Sequence, residues 1–281
     1  MLYKIGEIAE ILGVTRDTLR YYEKRGIVKP VKGAENDYRY YDFWDVNFLL
    51  DCIWYRAYDF SLEQVADIFK MESYRDISDM FRKKEDEYRA AIRRNELLLE
   101  RSAHQRAELA RIDRLLGRCV LAMCPEHILY FNRYTEDFAN SPKLNRLSRE
   151  WLGFMPFTHR YFEISADDLM REAGRDYRWG LELSSYYAEK LNVKVAPPIE
   201  HRPSVLCVRS VFKNVGKGNF SPRHLRYMVD YAGDNGLSVC GDASGILLAS
   251  VPEAGDFAGY FEAWLPVERK SGMLDFRIDI T

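Results

Sequence analysis

One stretch limits this chain more than any other. From residue 76 to 120 it reads as a single long helix, with no Pro and no Gly before Gly117. At 4-3 spacing its positions are Phe81, Lys84, Tyr88, Ala91, Asn95, Leu98, Ser102, Gln105, Leu109, Ile112, Leu116 and Cys119, and eight of these twelve are apolar or aromatic. Apolar residues recurring in this way form a heptad seam that a lone helix would leave in water. At about 1.5 Å per residue the helix is roughly 65 Å long, more than a compact domain encloses. A partner helix is therefore predicted, and self-association is its plainest source. The bland alternative is a helix lying along its own chain. Asn95, Ser102 and Gln105 weaken the middle of the seam and would fix its register.

The helix divides the 281 residues into three regions, 1–75, 76–120 and 121–281. In the first, Ile5, Ile8, Ala9 and Leu12 repeat at helical spacing up to Gly13. Thr15 then caps a second helix ending before Gly26, which gives a helix-turn-helix. Pro30 and Gly33 break the chain into a loop that ends in Tyr38-Arg39-Tyr40-Tyr41. Asp42 starts a third helix, and Ser61-Leu-Glu-Gln64 is a capping box for a fourth. In the last region, 127–134, 153–165, 176–184, 193–199, 205–212, 238–251 and 260–267 read as strands. Ser141-Pro142 and Ser221-Pro222 both read as helix starts. Strand, helix, strand, strand thus occurs twice, which predicts an α+β region of two related halves.

The net charge of −2 gives no whole-chain attraction to nucleic acid, so any such contact must come from a local patch. Residues 16–39 supply one, with seven Arg and Lys against four Asp and Glu. Arg16, Arg20 and Lys24 follow at i, i+4 and i+8 on the second helix, where they can meet phosphates or a guanine edge. Five scattered cysteines argue against a disulfide framework and for a reducing cytoplasm. No run approaches the ~18 apolar residues of a membrane span. The start, MLYKIGEIAE, lacks the apolar core of a signal peptide.

Ile5-Gly6-Glu7, Gly13-Val14, Thr18-Leu19-Arg20-Tyr21-Tyr22-Glu23, Gly26 and Tyr38–Tyr41 together resemble the MerR family of bacterial transcription regulators over residues 3 to about 70. The resemblance implies an N-terminal winged helix-turn-helix followed by a long helix in an antiparallel coiled coil. The protein would act as a homodimer on the palindromic spacer of double-stranded promoter DNA, untwisting it so that RNA polymerase aligns with both promoter elements. It makes Thr15, Arg16, Arg20, Tyr21, Tyr22, Tyr38 and Arg39 DNA contacts and Arg56 a further phosphate contact. Asp37 departs from the glycine usual in the wing turn.

The last region resembles the GyrI-like effector domain of the multidrug-sensing (BmrR-like) branch, most clearly from Ser221-Pro222 to Tyr260-Phe-Glu-Ala-Trp264. That resemblance implies a small lipophilic, cationic effector held by the Glu262 carboxylate inside a cage of aromatic rings. Trp151, Tyr161, Tyr177, Trp179, Tyr187 and Trp264 are its candidates. A carboxylate facing rings suits a cation through Coulomb and cation–π attraction, although Glu262 could instead pair with Arg209. Ser244 stands where that branch carries a tyrosine, and 270–281 have no counterpart. Two alternatives stay open. Cys119, Cys124 and His127 form a Cys-x4-Cys-x2-His set for a soft metal or redox sensor, and some GyrI-like proteins are hydrolases. No Gly-x-Ser-x-Gly, His-Glu-x-x-His or phosphate loop is present, so neither catalysis nor a cofactor is expected.

Overall fold

The computed structural model describes residues 2–33, 38–134, 137–171, 177–216, 220–253 and 255–269. The chain forms two compact units, Met1–Arg93 and Arg94–Thr281.

In the first unit, β1 (Tyr3–Lys4) leads into α1 (Ile5–Leu12) and α2 (Arg16–Lys24). Strands β2 (Val31–Lys32) and β3 (Arg39–Tyr41) precede α3 (Phe43–Ala57) and α4 (Leu62–Ile68). Local chemistry sets these boundaries. Gly13 takes the left-handed conformation at φ 64° and its N–H returns to the Ala9 and Glu10 carbonyls, which ends α1. The Thr15 hydroxyl accepts from the Thr18 N–H at 3.1 Å and starts α2, a cap worth about 1 kcal/mol. Asp42 with Asp45 and Ser61 with Gln64 form reciprocal capping boxes on α3 and α4. One core of Ile8, Leu19, Tyr22, Val28, Tyr41, Leu49, Cys52, Phe60, Val65 and Ile68 binds these pieces together. The wing strands form the small sheet β1-β3-β2. Asp37 of the wing turn lies outside the described residues.

The long helix, α5, runs from Tyr74 to Leu115 and so ends short of the expected 120. Gly117 then turns at φ 67°, and the chain continues as β4 (Val120–Met123). Leu116 and Cys119 are therefore not on the helix. The remaining seam is largely used by the chain itself. Phe81 packs into the core of the first unit. The Lys84 ammonium donates to the Asp59 carbonyl and Tyr88 to that of Tyr58. In the second unit Leu98 and Ile112 meet the sheet's cores. What α5 leaves open is a neighbouring line, with Ile92 56% and Leu99 76% exposed.

In the second unit β5 (His127–Tyr134), β6 (Asp137–Phe138), α6 (Pro142–Leu152), β7 (His159–Ile164), α7 (Ala166–Arg171), β8 (Tyr177–Ser184), α8 (Ser185–Lys190) and β9 (Glu200–Arg202) make one half. The other contains β10 (Leu206–Val215), a 3-10 turn at Pro222–Leu225, α9 (Arg226–Asp234), β11 (Leu237–Val239), β12 (Ala243–Glu253) and β13 (Asp256–Arg269). The main strand order is β4-β10-β13-β12-β7-β8-β5-β6, antiparallel throughout. The first half departs from the expected strand, helix, strand, strand by inserting α7 between β7 and β8, whereas in the second half consecutive strands follow α9; the sheet order within one half still mirrors the other across the β12–β7 joint. At Gly180 a Cβ would stand 1.9 Å from the Tyr130 carbonyl oxygen, so only glycine lets β8 approach β5 there.

Two further expectations change. The strand foreseen at 153–165 begins only at His159, because α6 runs through Leu152. The strand foreseen at 193–199 is replaced by β9 at Glu200–Arg202, since Pro197 and Pro198 have no N–H for a ladder. The alternating residues of 270–281 lie outside the described residues.

Side chains alternate across the sheet. Phe261, Ala263 and Leu265 of β13 join Phe162, Phe212, Phe220, Met228 and Ala232 on the face covered by α9. Trp264 joins Leu129, Tyr161, Val211 and Ile246 on the opposite face, where Ile112 and Leu115 at the end of α5 cover them. A third core places Trp151, Phe157, Leu183 and Tyr187 together.

Candidate functional site

In the first unit α2 presents one charged face. Leu19 and Tyr22, three residues apart, point into the core and leave Arg16, Arg20 and Lys24 outside. The Arg16 guanidinium crosses the start of α1, and a Cβ at Gly6 would meet it at 3.0 Å. Arg20 sits 3.0 Å from Asp17 in an exposed pair, of a kind worth little in water and easily exchanged for a phosphate. Tyr38 stands 57% exposed on the wing.

The other expected DNA contacts lie differently. Tyr22 is 2% exposed and is a core residue; burial pushes its hydroxyl up to about 12. Tyr21 is half-buried, its ring 5.2 Å from the Arg25 guanidinium. Arg39 is held 2.6 Å from Glu23, which ties the wing to α2. Arg56 donates to the Phe60 carbonyl and so steadies the end of α3. Thr15 is engaged as the cap of α2. The identity of the apolar residues in α2 could have separated Tyr22 from its neighbours, because it shares a face with Leu19.

In the second unit the inner face of the sheet carries a chain of ionisable groups under residues 101–111 of α5. Glu262 is fully buried. Its Oε1 accepts from Arg209 Nε at 2.5 Å and its Oε2 from Arg111 Nη2 at 2.9 Å. Glu182, also buried, accepts from His127 Nδ1 at 3.0 Å and His159 Nδ1 at 2.7 Å. Glu108 lies 3.2 Å from His159 Nε2 and 3.1 Å from Arg101 Nη2. Burial alone would lower His159, but hydrogen bonds to Glu108 and Glu182 outweigh it and raise the imidazole to about 9. Burial likewise opposes the ionised Glu182, and the two imidazoles overcome it, lowering the carboxyl to about 2. Sequence reasoning missed this network, because nothing in the spacing of His127, His159 and Glu182 marks them as neighbours.

The expected aromatic cage does not assemble. Tyr161 and Trp264 share the face of Glu262, each ringed against His127, at 5.6 and 4.8 Å. Trp151 is fully buried beside Tyr130 in another core. Tyr177 stacks on Phe220 beneath α9, on the far side of the sheet. Tyr187 bonds His104 Nδ1 at 2.7 Å. Trp179 lies on the far side too and lines a cavity there. Arg111 and Arg209 supply the positive charge that Glu262 needs.

The candidate soft-metal set also comes apart. Cys119 packs at the core under α9 and Cys124 at the core on the opposite face. Among the described residues no group of three or more His, Cys, Asp or Glu is placed to hold a metal ion. Cys124 is lowered to about 6, chiefly by a hydrogen bond from Cys207, while burial raises Cys119 to about 11. No helix among the described residues is long and apolar enough to cross a membrane.

Comparison with known proteins bears on the first unit. Residues 3–72 match the family model described as MerR HTH family regulatory protein. The HTH-type transcriptional regulator ZntR homolog of Haemophilus influenzae is 33% identical over 73 residues, which is 25% of this chain and 52% of that protein. The chain thus spans about half the length of that curated relative. An EcmrR–DNA complex aligns over 95% of this chain and 100% of its own, at 16% identity and a TM-score of 0.36. A hydrolase from Listeria innocua covers 53% of this chain and 91% of its own, at 14% identity and a TM-score of 0.31. What the sequence match and the helix pair support is local: residues 3–72 fold as a helix-turn-helix and are similar to the MerR HTH regulatory proteins.

Proposed function

We propose that the chain is a MerR-type transcription regulator, gripping double-stranded promoter DNA with α2 and the wing as a homodimer. The carrying observation is α2 itself, capped at Thr15 and anchored by Leu19, with Arg16 and Arg20 turned outward together. Tyr38 on the wing completes a surface that meets one stretch of backbone from two sides. Arg39 acts through Glu23 by positioning that wing. The dimer seam is the exposed line of α5 through Leu99, since the heptad positions on either side are taken up by the chain's own cores. The supporting similarity covers residues 3–72.

In this reading the second unit receives a small effector and α5 passes on its arrival. The multidrug-branch expectation of a lipophilic cation meets an obstacle at Glu262, where two guanidiniums already neutralise the carboxylate. A cation can take that place only by displacing Arg111. Such displacement would loosen α5 from the sheet, which gives binding a mechanical consequence. The Cys119/Cys124 sensor and the GyrI-type hydrolase gain no site geometry from the described residues.

Selection of binders from a random duplex pool, followed by titration of the winning sequence, tests the DNA reading. The parent should enrich a palindrome. Arg20→Ala should weaken it by roughly tenfold or more and flatten the salt dependence by about one unit of slope. Enrichment without palindromy, or an unaltered Arg20→Ala titration, would sink it.

A further inference from the structure

A cavity of the second unit lies away from Glu262. It lies across the sheet, on the face of Phe261 and Trp179, and has a volume of about 1200 Å³. Ligand cavities typically hold about 300–1,000 Å³, so a two-ring molecule fits with room to spare. Its charge is one-sided: Arg133, Arg149 and Arg160 line it, and no Asp or Glu does among the described residues.

The walls explain how this arises. α6 turns Leu144, Leu147 and Trp151 into the core beside it. Asn145, Ser148, Arg149 and Leu152, at i, i+3, i+4 and i+7, form its cavity face. A helix serving only to cover a sheet would place apolar residues there. Opposite, Arg133 of β5 lies across from Trp179 of β8, its guanidinium 4.8 Å from the indole ring centroid. Arg160 of β7 reaches the Ser250 hydroxyl at 3.4 Å and stays on the same side. The Trp179 indole N–H is buried with no acceptor among the described residues. Phe257, Phe261 and Leu247 supply an apolar floor.

We propose that this cavity binds an amphipathic aromatic anion, its ring on Trp179 and Phe261 and its carboxylate at Arg149 and Arg160. Planar guanidiniums suit a carboxylate through paired charge-assisted hydrogen bonds. An anionic oxygen near Trp179 would also satisfy the indole donor. The inference reverses the ligand charge expected at Glu262 and uses the opposite face of the sheet. It rests on the regulator reading only for its biological use, and binding is read without DNA, so the two fail separately.

The test is isothermal titration calorimetry of the full chain with 2-naphthoate and with naphthalen-2-ylmethylammonium, which share a ring system and differ in charge. Naphthoate should bind and quench tryptophan emission, and the ammonium should not. Arg149→Gln, an exposed change on α6, should weaken naphthoate about tenfold or more, as should Arg160→Gln. Trp179→Phe should keep the heat of binding and lose most of the quench. The proposal is overturned if naphthoate gives no heat up to about 1 mM, if the ammonium binds as well, if Arg149→Gln binds like the parent, or if the quench survives Trp179→Phe undiminished.

Discussion

Replacing Glu262 by Gln asks whether this carboxylate is a structural ion-pair centre. The parent holds a fully buried carboxylate between Arg209 and Arg111. Gln keeps the shape, removes the charge and turns an N–H₂ toward a guanidinium. Breaking a fully buried pair costs about 3–5 kcal/mol, because the partner's charge is left uncompensated. Here the guanidiniums keep 20% and 22% of their side-chain surface in water, so water takes up part of the lost field and about 2–3 kcal/mol is the expected loss. For a domain of roughly 190 residues, 1 kcal/mol moves the melting temperature by about 2–4 °C, which puts the shift at about 4–12 °C. Scanning calorimetry of the full chain reads it, and Leu19→Ala, a change in the core of the other unit, identifies the transition that must stay fixed as the sheet unit's. Arg111→Gln should cost less, since Arg209 still neutralises the carboxylate. A shift below about 1 °C for Glu262→Gln, or a larger loss for Arg111→Gln, would refute the ion-pair account.

Two further outcomes follow from the same geometry. His159, raised from 6.5 to about 9 by its two carboxylates, contributes stability that is full below pH 6.5 and fades as pH rises through 9; Glu182, lowered from 4.5 to about 2, contributes above 4.5 and fades as pH falls toward 2. Arg101, 2.7 Å from His159 Nε2, opposes the protonated form and sets the upper limit of the effect. Urea midpoints should therefore fall from pH 6.5 to 9 in the parent, and His159→Gln should show a shallower decline; parallel curves would disprove the assignment. Leu99→Lys should convert a sedimenting dimer to monomer while leaving the melting of the sheet unit within about 1 °C, because Leu99 is 76% exposed on its own chain; an unaltered sedimentation coefficient would place the dimer seam elsewhere.

What could be read in advance depended on the range of the interaction. Thr15, Asp42, Ser61 and Ser141 act within three residues, and each caps the helix the sequence assigned to it. Strand alternation and the Ser141-Pro142 start are local signals too, and they placed β5, α6 and β10, whereas α7 between β7 and β8 was not foreseen. The seam of α5 was visible as apolar spacing, but its partner was not. Spacing says that Phe81, Leu98 and Ile112 must be covered and leaves open whether a second chain or the chain's own cores cover them.

The aromatic cage failed for a related reason. Alternation along β13 already placed Phe261 and Glu262 on opposite faces, so a cage drawing rings from every strand could not close around one carboxylate. Tyr177 and Trp179 occupy the face of Phe261, whereas Tyr161 and Trp264 occupy that of Glu262. Face assignment needs only the strand register. The charge of the occupant needs more: Arg111 comes from 151 residues away, and no local pattern announces it. A buried acid in a strand is thus a statement that a cation is near, and the fold decides whether that cation is a ligand or the protein's own arginine. Here the arginines fill the acidic face, and the cavity on the other face is lined by arginines with no acid among its described residues. Arg149 and Arg160 on that side of the sheet therefore favour an anion, where the aromatic surface of Trp179 and Phe261 lines the cavity.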